Sequence, residues 1–192
     1  MPSRPRSSAR PPDLSAPVLE KAALEYLGRY ASSSAQLRQV LMRRVRRAQM
    51  LGAGDTATAV TAIDALVQRY IAAGLLDDRR FAEAQAASLQ RRGTSQHFIR
   101  RRLAAKGIAR EFVEEAVADL AENQGAGDLA AACALARRRR LGPYRAPGTR
   151  GANRKRDLAA LARAGFSLEI ARRVLAAKDP EALDRLSRGE EC

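Results

Sequence analysis

The sequence predicts an all-α protein of three tandem three-helix repeats stacked into an elongated, curved body. Three observations carry that expectation. Apolar residues recur every three or four positions from Pro17 onward, and no segment alternates long enough to argue for a strand. Hydrophobic residues make up 46% of the 192-residue chain, but aromatics are only 4% and Trp is absent. Such a core is aliphatic and alanine-rich, which suits many small helix–helix contacts better than one thick centre. The helices also group in threes, and parts of the groups align with one another.

Residues 1–15, rich in Pro, Arg and Ser, read as a disordered basic arm. The arm has no apolar h-region and is not a secretory signal. Ser15 is expected to cap a helix running to about Ala31, with Leu19, Ala22, Ala23, Tyr26 and Tyr30 on its apolar face. Ser32 or Ser33 caps a second helix carrying Leu37, Val40 and Leu41. The looser stretch "MLGAGDTA" precedes a third, with Val60, Ile63, Leu66, Val67, Tyr70 and Ile71 in one stripe.

"GLLDDRRFAEA" (74–84) then makes a helix joint. Gly74 accepts the left-handed conformation that ends a helix, and Leu75 and Leu76 fold back over that end. Asp77 or Asp78 is expected to accept hydrogen bonds from the free N–H groups of the next helix. Adjacent carboxylates entering a helix diverge by about 100°, so they do not face one substrate as an acid/base couple. Arg79 and Arg80 follow them, which disfavours a magnesium site.

Thr94 or Ser95 opens a helix with Phe98, Ile99 and Leu103, which Gly107 ends. Phe112, Val113, Ala116, Val117 and Leu120 mark the next, and Leu129, Ala132, Cys133 and Ala136 another. A Gly/Pro-rich loop at about 141–152 separates these from helices holding Leu158 and Leu161, then Ile170, Val174 and Leu175. Gly165 lies between those two, and Pro180 starts a short last helix.

"SSAQLRQVL" (33–41) and "SQHFIRRRL" (95–103) share Ser-x-x-x-[Leu/Ile]-Arg-x-x-Leu. "LAAKGIAREFVEEAV" (103–117) aligns without a gap onto "LARAGFSLEIARRVL" (161–175), matching Gly107 to Gly165. Units this small cannot bury a core alone and must stack. The repeats are expected at 16–75, with an insertion at about 43–57, at 76–124 and at 125–178, followed by a tail at 179–192.

"IDALVQRYIAAGLLDDRRFAEA", "IRRRLAAKGI" and "RKRDLAALARAGFSLEIARRVL" resemble successive repeats of the RecX family, regulators of the RecA recombinase. The resemblance covers about Val18 to Ala177. It implies a non-catalytic cytoplasmic protein that binds the RecA filament on single-stranded DNA. The implied effect is to restrain recombinase, ATPase and coprotease activity in homologous recombination and the SOS response. The arm and the first-repeat insertion depart from the family pattern.

The net charge of +14 points independently to an anionic partner. The residues expected to contact filament or nucleic acid are Arg91, Arg92, Arg100, Arg101, Lys106, Arg138, Arg139, Arg154, Lys155, Arg156, Arg172 and Arg173, with Tyr144 as the one loop aromatic able to stack on a base. Several clusters also sit near helix C-termini, where arginine is favourable for dipole reasons alone.

A helix–turn–helix or nonspecific DNA-binding protein acting on DNA directly is the rival reading. The would-be recognition helix carries Glu111, Glu114, Glu115 and Asp119, which phosphates repel. No phosphate-binding Gly-rich loop or zinc-protease motif occurs, so no enzyme, metal or cofactor is expected. His97, the sole histidine, reads as a partly exposed helical residue. Cys133 and Cys192 form no CxxC pair, which suits a reducing cytoplasm. A monomer is expected, with no membrane span.

Overall fold

Ten α-helices and one 3-10 turn, with no strand, make up the described residues of the computed structural model, which are 11–53, 56–123 and 127–188. The outer part of the expected basic arm, Gly54, Asp55 and Cys192 lie outside them. The helices are α1 (Ala16–Leu27), α2 (Ser34–Met50), α3 (Ala57–Ala72), α4 (Asp78–Arg91), α5 (Gln96–Ala105) and α6 (Arg110–Asn123), then α7 (Gly127–Arg139), α8 (Pro147–Arg163), α9 (Leu168–Ala176) and α10 (Pro180–Ser187). The 3-10 turn, Gly142–Tyr144, lies between α7 and α8. No helix among the described residues is long and apolar enough to cross a membrane.

Two compact units divide the chain, the first ending at Asp78 and the second beginning at Arg79. In the first, Leu19, Leu37, Leu41, Val45, Ile63, Val67 and Tyr70 form one core under α1, α2 and α3. α1 stops at Leu27, short of the expected Ala31, because Gly28 ends it. Tyr30 therefore leaves the apolar face and is 58% exposed, its ring tilted against Tyr26. Ser15 holds the N-cap position without a side-chain bond; Pro17, which lacks an N–H, opens this helix. Ile71 is exposed at the rim of the α3 stripe.

Ser33 is the cap of α2, its Oγ accepting from the Gln36 N–H at 3.2 Å. Asp78 differs from expectation. Its carboxylate accepts from the Ser34 N–H at 2.8 Å and from the Ser34 hydroxyl at 2.6 Å, so it serves the start of α2, 44 residues earlier. Asp77 precedes α4 and has a partner of its own. Four N–H groups at a helix start need acceptors, and a carboxylate there also meets the positive end of the dipole.

The second unit has the same device. Asp128, in the first turn of α7, accepts from the Gln96 N–H at the start of α5 at 2.7 Å, 32 residues away. Ser95 is consequently released from the expected capping role. Its buried hydroxyl donates to the Ala164 carbonyl at 2.8 Å. The longer separation in the first unit goes with a longer second helix: α2 has 17 residues where α5 has 10. Arg43, Arg44, Arg46 and Arg47 are exposed on it, while Val45 and Ala48 are buried.

Two further cores occupy the second unit. Phe81, Leu89, Ile99, Leu103, Val113 and Val117 pack under α4, α5 and α6. Leu135, Leu161, Phe166, Ala171, Val174 and Leu183 pack under α7 to α10. The third helix of each group buries matching positions: Ile63, Leu66 and Val67 in α3; Val113, Ala116 and Val117 in α6; and Ala171, Val174 and Leu175 in α9. The expected 141–152 loop is short, because Pro147 begins α8 with φ already set for a helix.

Gly74, Gly107 and Gly165 have φ of +71°, +74° and +84°, and each ends a helix with the chain turning back. Gly93 (φ +76°) has a second reason to be glycine. An added Cβ would stand 2.6 Å from the Leu135 nitrogen and 2.9 Å from the Ala131 carbonyl, so the end of α4 rests directly on the backbone of α7. Gly52 (φ +80°) has nothing within 4 Å.

Urea unfolding distinguishes these roles. Gly52→Ala is expected to cost about 1 kcal/mol for the left-handed backbone, and Gly93→Ala about 3 kcal/mol because backbone must also move. Asp78→Ala is expected to destabilise by ~1–2 kcal/mol as the start of α2 loses its acceptor.

Candidate nucleic-acid interface

The cations of this chain fall into two sets, those committed to holding helices together and those left open. Arg38 on α2 pairs with Asp64 on α3 (Nε–Oδ1 2.6 Å), and Arg100 on α5 pairs in the matching place with Glu114 on α6 (Nε–Oε2 2.9 Å). Both are solvent-exposed pairs that set how two helices meet and add little stability. Arg100, expected as a ligand contact, is thus engaged within its own helix pair. The Arg101 guanidinium lies 5.6 Å over the Phe98 ring and the Lys106 ammonium 5.3 Å over Phe81, with Arg101 exposed and Lys106 half-buried.

A denser set of bonds holds the corner between α7 and α8. Asp157 is 1% exposed and accepts both Arg145 Nε and Nη2 at 2.7 Å, together with the Gly142 N–H at 2.9 Å. Burial pushes its pKa up, but the Arg145 and Gly142 hydrogen bonds and the Arg145 charge outweigh this and hold the carboxyl below its ordinary value. Arg150 donates to the carbonyls of Pro143 at 2.7 Å, Arg145 at 3.1 Å, and Lys178. Arg154 donates to the Leu175 carbonyl at 3.4 Å, near the end of α9. Arg154 itself is exposed.

The 3-10 turn lays Tyr144 half-buried against the α7–α10 core, and burial together with Asp184 raises its hydroxyl pKa. His97 is exposed and meets the Phe98 ring edge-on. Cys133 is buried; burial, then Asp184, pushes its thiol up to about 12, which removes it as a nucleophile. No group of three His, Cys, Asp or Glu suited to a metal occurs among the described residues, and Asp78 is occupied by Ser34.

Arg91, Arg92, Arg138, Arg139, Lys155, Arg156, Arg172 and Arg173 are exposed and make no ion pair among the described residues. Arg91 is in the last turn of α4 with Arg92 directly after it, and Arg138 and Arg139 are in the last turn of α7. Gly93, just past Arg91 and Arg92, rests on the middle of α7 at Ala131 and Leu135. Arg172 stands where α6 has Glu114, and Leu158 where α5 has Arg100. The third helix group thus replaces an ion pair with a leucine and an uncompensated arginine.

Comparison with known proteins follows from this architecture. Residues 77–117 match the family described as "RecX, second three-helix domain". The chain is 46% identical to the Regulatory protein RecX of Myxococcus xanthus (strain DK1622), over 88% of this chain and 90% of the relative. The chain belongs to the RecX family. A RecX protein from Agrobacterium fabrum (strain C58 / ATCC 33970), also named a regulatory protein, is 34% identical over 86% of each chain. The crystal structure of RecX from Lactobacillus salivarius has the same fold at 17% identity (TM-score 0.57), covering 85% of this chain and 96% of that one.

Sequence reasoning missed Asp128 and Asp157 as structural carboxylates. Asp128 had a usable signal, since Gly127 and Asp128 open a first helix as Asp78 does. Asp157 had none beyond being one acid amid Lys155, Arg156 and Arg154.

The two carboxylates predict opposite behaviour. Asp157→Asn is expected to cost about 3 kcal/mol, because it leaves a partly buried arginine without its charge partner. Asp157's folded pKa is lowered, so its stabilisation is present above the unfolded value of about 3.9 and is lost as pH falls through the folded value. Asp128's pKa is raised by burial despite the Gln96 N–H, Arg100 and His97. Its contribution is greatest below the unfolded value and declines as pH rises through the folded one. Asp128→Asn keeps an acceptor for Gln96 and is expected to change stability at pH 7 by less than about 0.5 kcal/mol. Thermal unfolding of both variants between pH 3 and 8 checks the pair.

Proposed function

We propose that this protein is a non-catalytic regulator that binds the RecA recombinase filament on single-stranded DNA and restrains its ATPase, strand-exchange and coprotease activities. Support comes first from its relatives, which are named as RecX regulatory proteins at up to 46% identity over most of the chain. The physical support is the set of exposed arginines, with Lys155, at the end of α4 and on α7, α8 and α9 that make no ion pair among the described residues. Arg91, Arg92, Arg138, Arg139, Lys155, Arg156, Arg172 and Arg173 are the contacts, with Arg101 and Lys106 contributing their surface charge. Arg100, Arg154 and Tyr144 hold the scaffold that presents them. The protein acts as a monomer in the cytoplasm.

A second reading draws on the same arginines: a basic helical protein that coats DNA and excludes the recombinase. Single-strand binding by ~6 phosphate contacts gives a log–log salt slope near −4. Base-specific reading by the α5–α6 hairpin is disfavoured, since α6 carries Glu111, Glu114 and Asp119.

Titrating the protein into the recombinase's single-strand-dependent ATPase separates the two. Loss of ATPase well below the concentration of DNA sites is the expected result. Loss only when DNA is saturated, equally with a coating protein of similar charge, overturns filament regulation in favour of competition for phosphate.

A further inference from the structure

Arg140 is the single non-glycine residue with positive φ, at +52°, among the described residues. Its N–H donates to the Arg137 carbonyl at 3.2 Å, and the Leu141 N–H donates to Ala136 at 2.9 Å. Gly93 closes α4 with the same pair of bonds, to Gln90 at 2.8 Å and, through Thr94, to Leu89 at 3.0 Å. Gly52, Gly74, Gly107 and Gly165 likewise take left-handed places after α2, α3, α5 and α8. Five helix ends in this chain thus use glycine where α7 uses arginine.

The turn itself is required here. Leu141 is buried immediately afterwards, and the Gly142 N–H must reach Asp157. Glycine would make that turn without steric penalty, whereas a side chain in the left-handed region is disfavoured. The Arg140 side chain forms no hydrogen bond or ion pair with the described residues that would repay it, and the residue is exposed. A strained residue with no internal compensation is a pointer to something outside the chain.

We propose that the end of α7, Arg138, Arg139 and Arg140, is a phosphate-binding site for a nucleic-acid backbone. Arginine forks match phosphate oxygens, and successive residues on a helix turn fan outward by about 100° each, which suits a strand that curves past rather than a single fixed anion. A protein partner would need apolar anchors. The exposed large hydrophobics described are Leu24, Tyr30, Met50, Ile71, Leu75 and Leu168, none of them on α4 or α7. The site deepens the proposed function and rests on it for biological meaning, but its ligand is nucleic acid alone.

The test compares the full chain with Arg140→Gly, Arg140→Lys and Arg163→Ala, the last removing an exposed arginine from the end of α8. Each is melted, and each is titrated with a fluorescein-labelled oligothymidylate at several salt concentrations without recombinase. Arg140→Gly is expected to raise Tm by ~2–4 °C through relief of the left-handed side chain. The same variant is expected to flatten the salt slope by about 0.7, the value of one single-strand phosphate contact. Arg140→Lys retains the slope, and Arg163→Ala leaves it unchanged. An unchanged slope in Arg140→Gly overturns the site, as does an equal flattening by Arg163→Ala, which would make net charge the sole cause. A fall in Tm for Arg140→Gly overturns the strain argument. Because no recombinase is present, these results stand apart from the ATPase test of filament regulation.

Discussion

The sharp left-handed turn after a short helix is the constraint on which the rest of this protein depends. The helices run from 8 to 17 residues, a length at which an isolated helix in water is marginal. Each must be stabilised by the neighbours it lies against, so the chain has to reverse within a few residues of every helix end. A residue with positive φ does this while supplying N–H donors to the last carbonyls. The same turn delivers the next apolar face to the core just left, as Leu76, Ile108 and Phe166 show by being buried immediately after or near their glycines.

Much of this was legible in the sequence because it is written locally. Helical spacing marked Ile63, Leu66 and Val67, and the ungapped alignment of 103–117 with 161–175 anticipated matching buried positions in α6 and α9. What escaped was the long-range polar wiring. Asp77 or Asp78 is expected to serve the helix it enters, because a cap is normally found beside the N–H groups it satisfies, whereas Asp78 reaches back to α2. Only the folded chain shows that Ser34 stands within 2.8 Å of Asp78. Tyr144 is drawn inward because a loop inferred from glycine and proline content is a 3-10 turn and the start of a helix.

Charge is distributed by the same logic. Where two helices of a group face each other, an arginine has an acid opposite, as in Arg38–Asp64 and Arg100–Glu114. Other arginines lie exposed without an ion pair among the described residues, such as Arg138 and Arg139 in the last turn of α7, where the dipole favours a cation, and Arg43, Arg44, Arg46 and Arg47 along α2. A sequence count cannot separate these populations; the geometry of the pairs does.

The length of α2 carries a different lesson, about how such a protein can change size. It exceeds α5 by seven residues, close to two full helical turns. Seven steps return a helix to within about 20° of its starting azimuth. The added stretch therefore prolongs the existing inner face through Val45 and Ala48 and sends its arginines outward. An insertion of five residues would swing everything downstream to the wrong side. Growth within these helices is thereby quantised: the architecture admits new chain in whole turns and rejects the lengths between them.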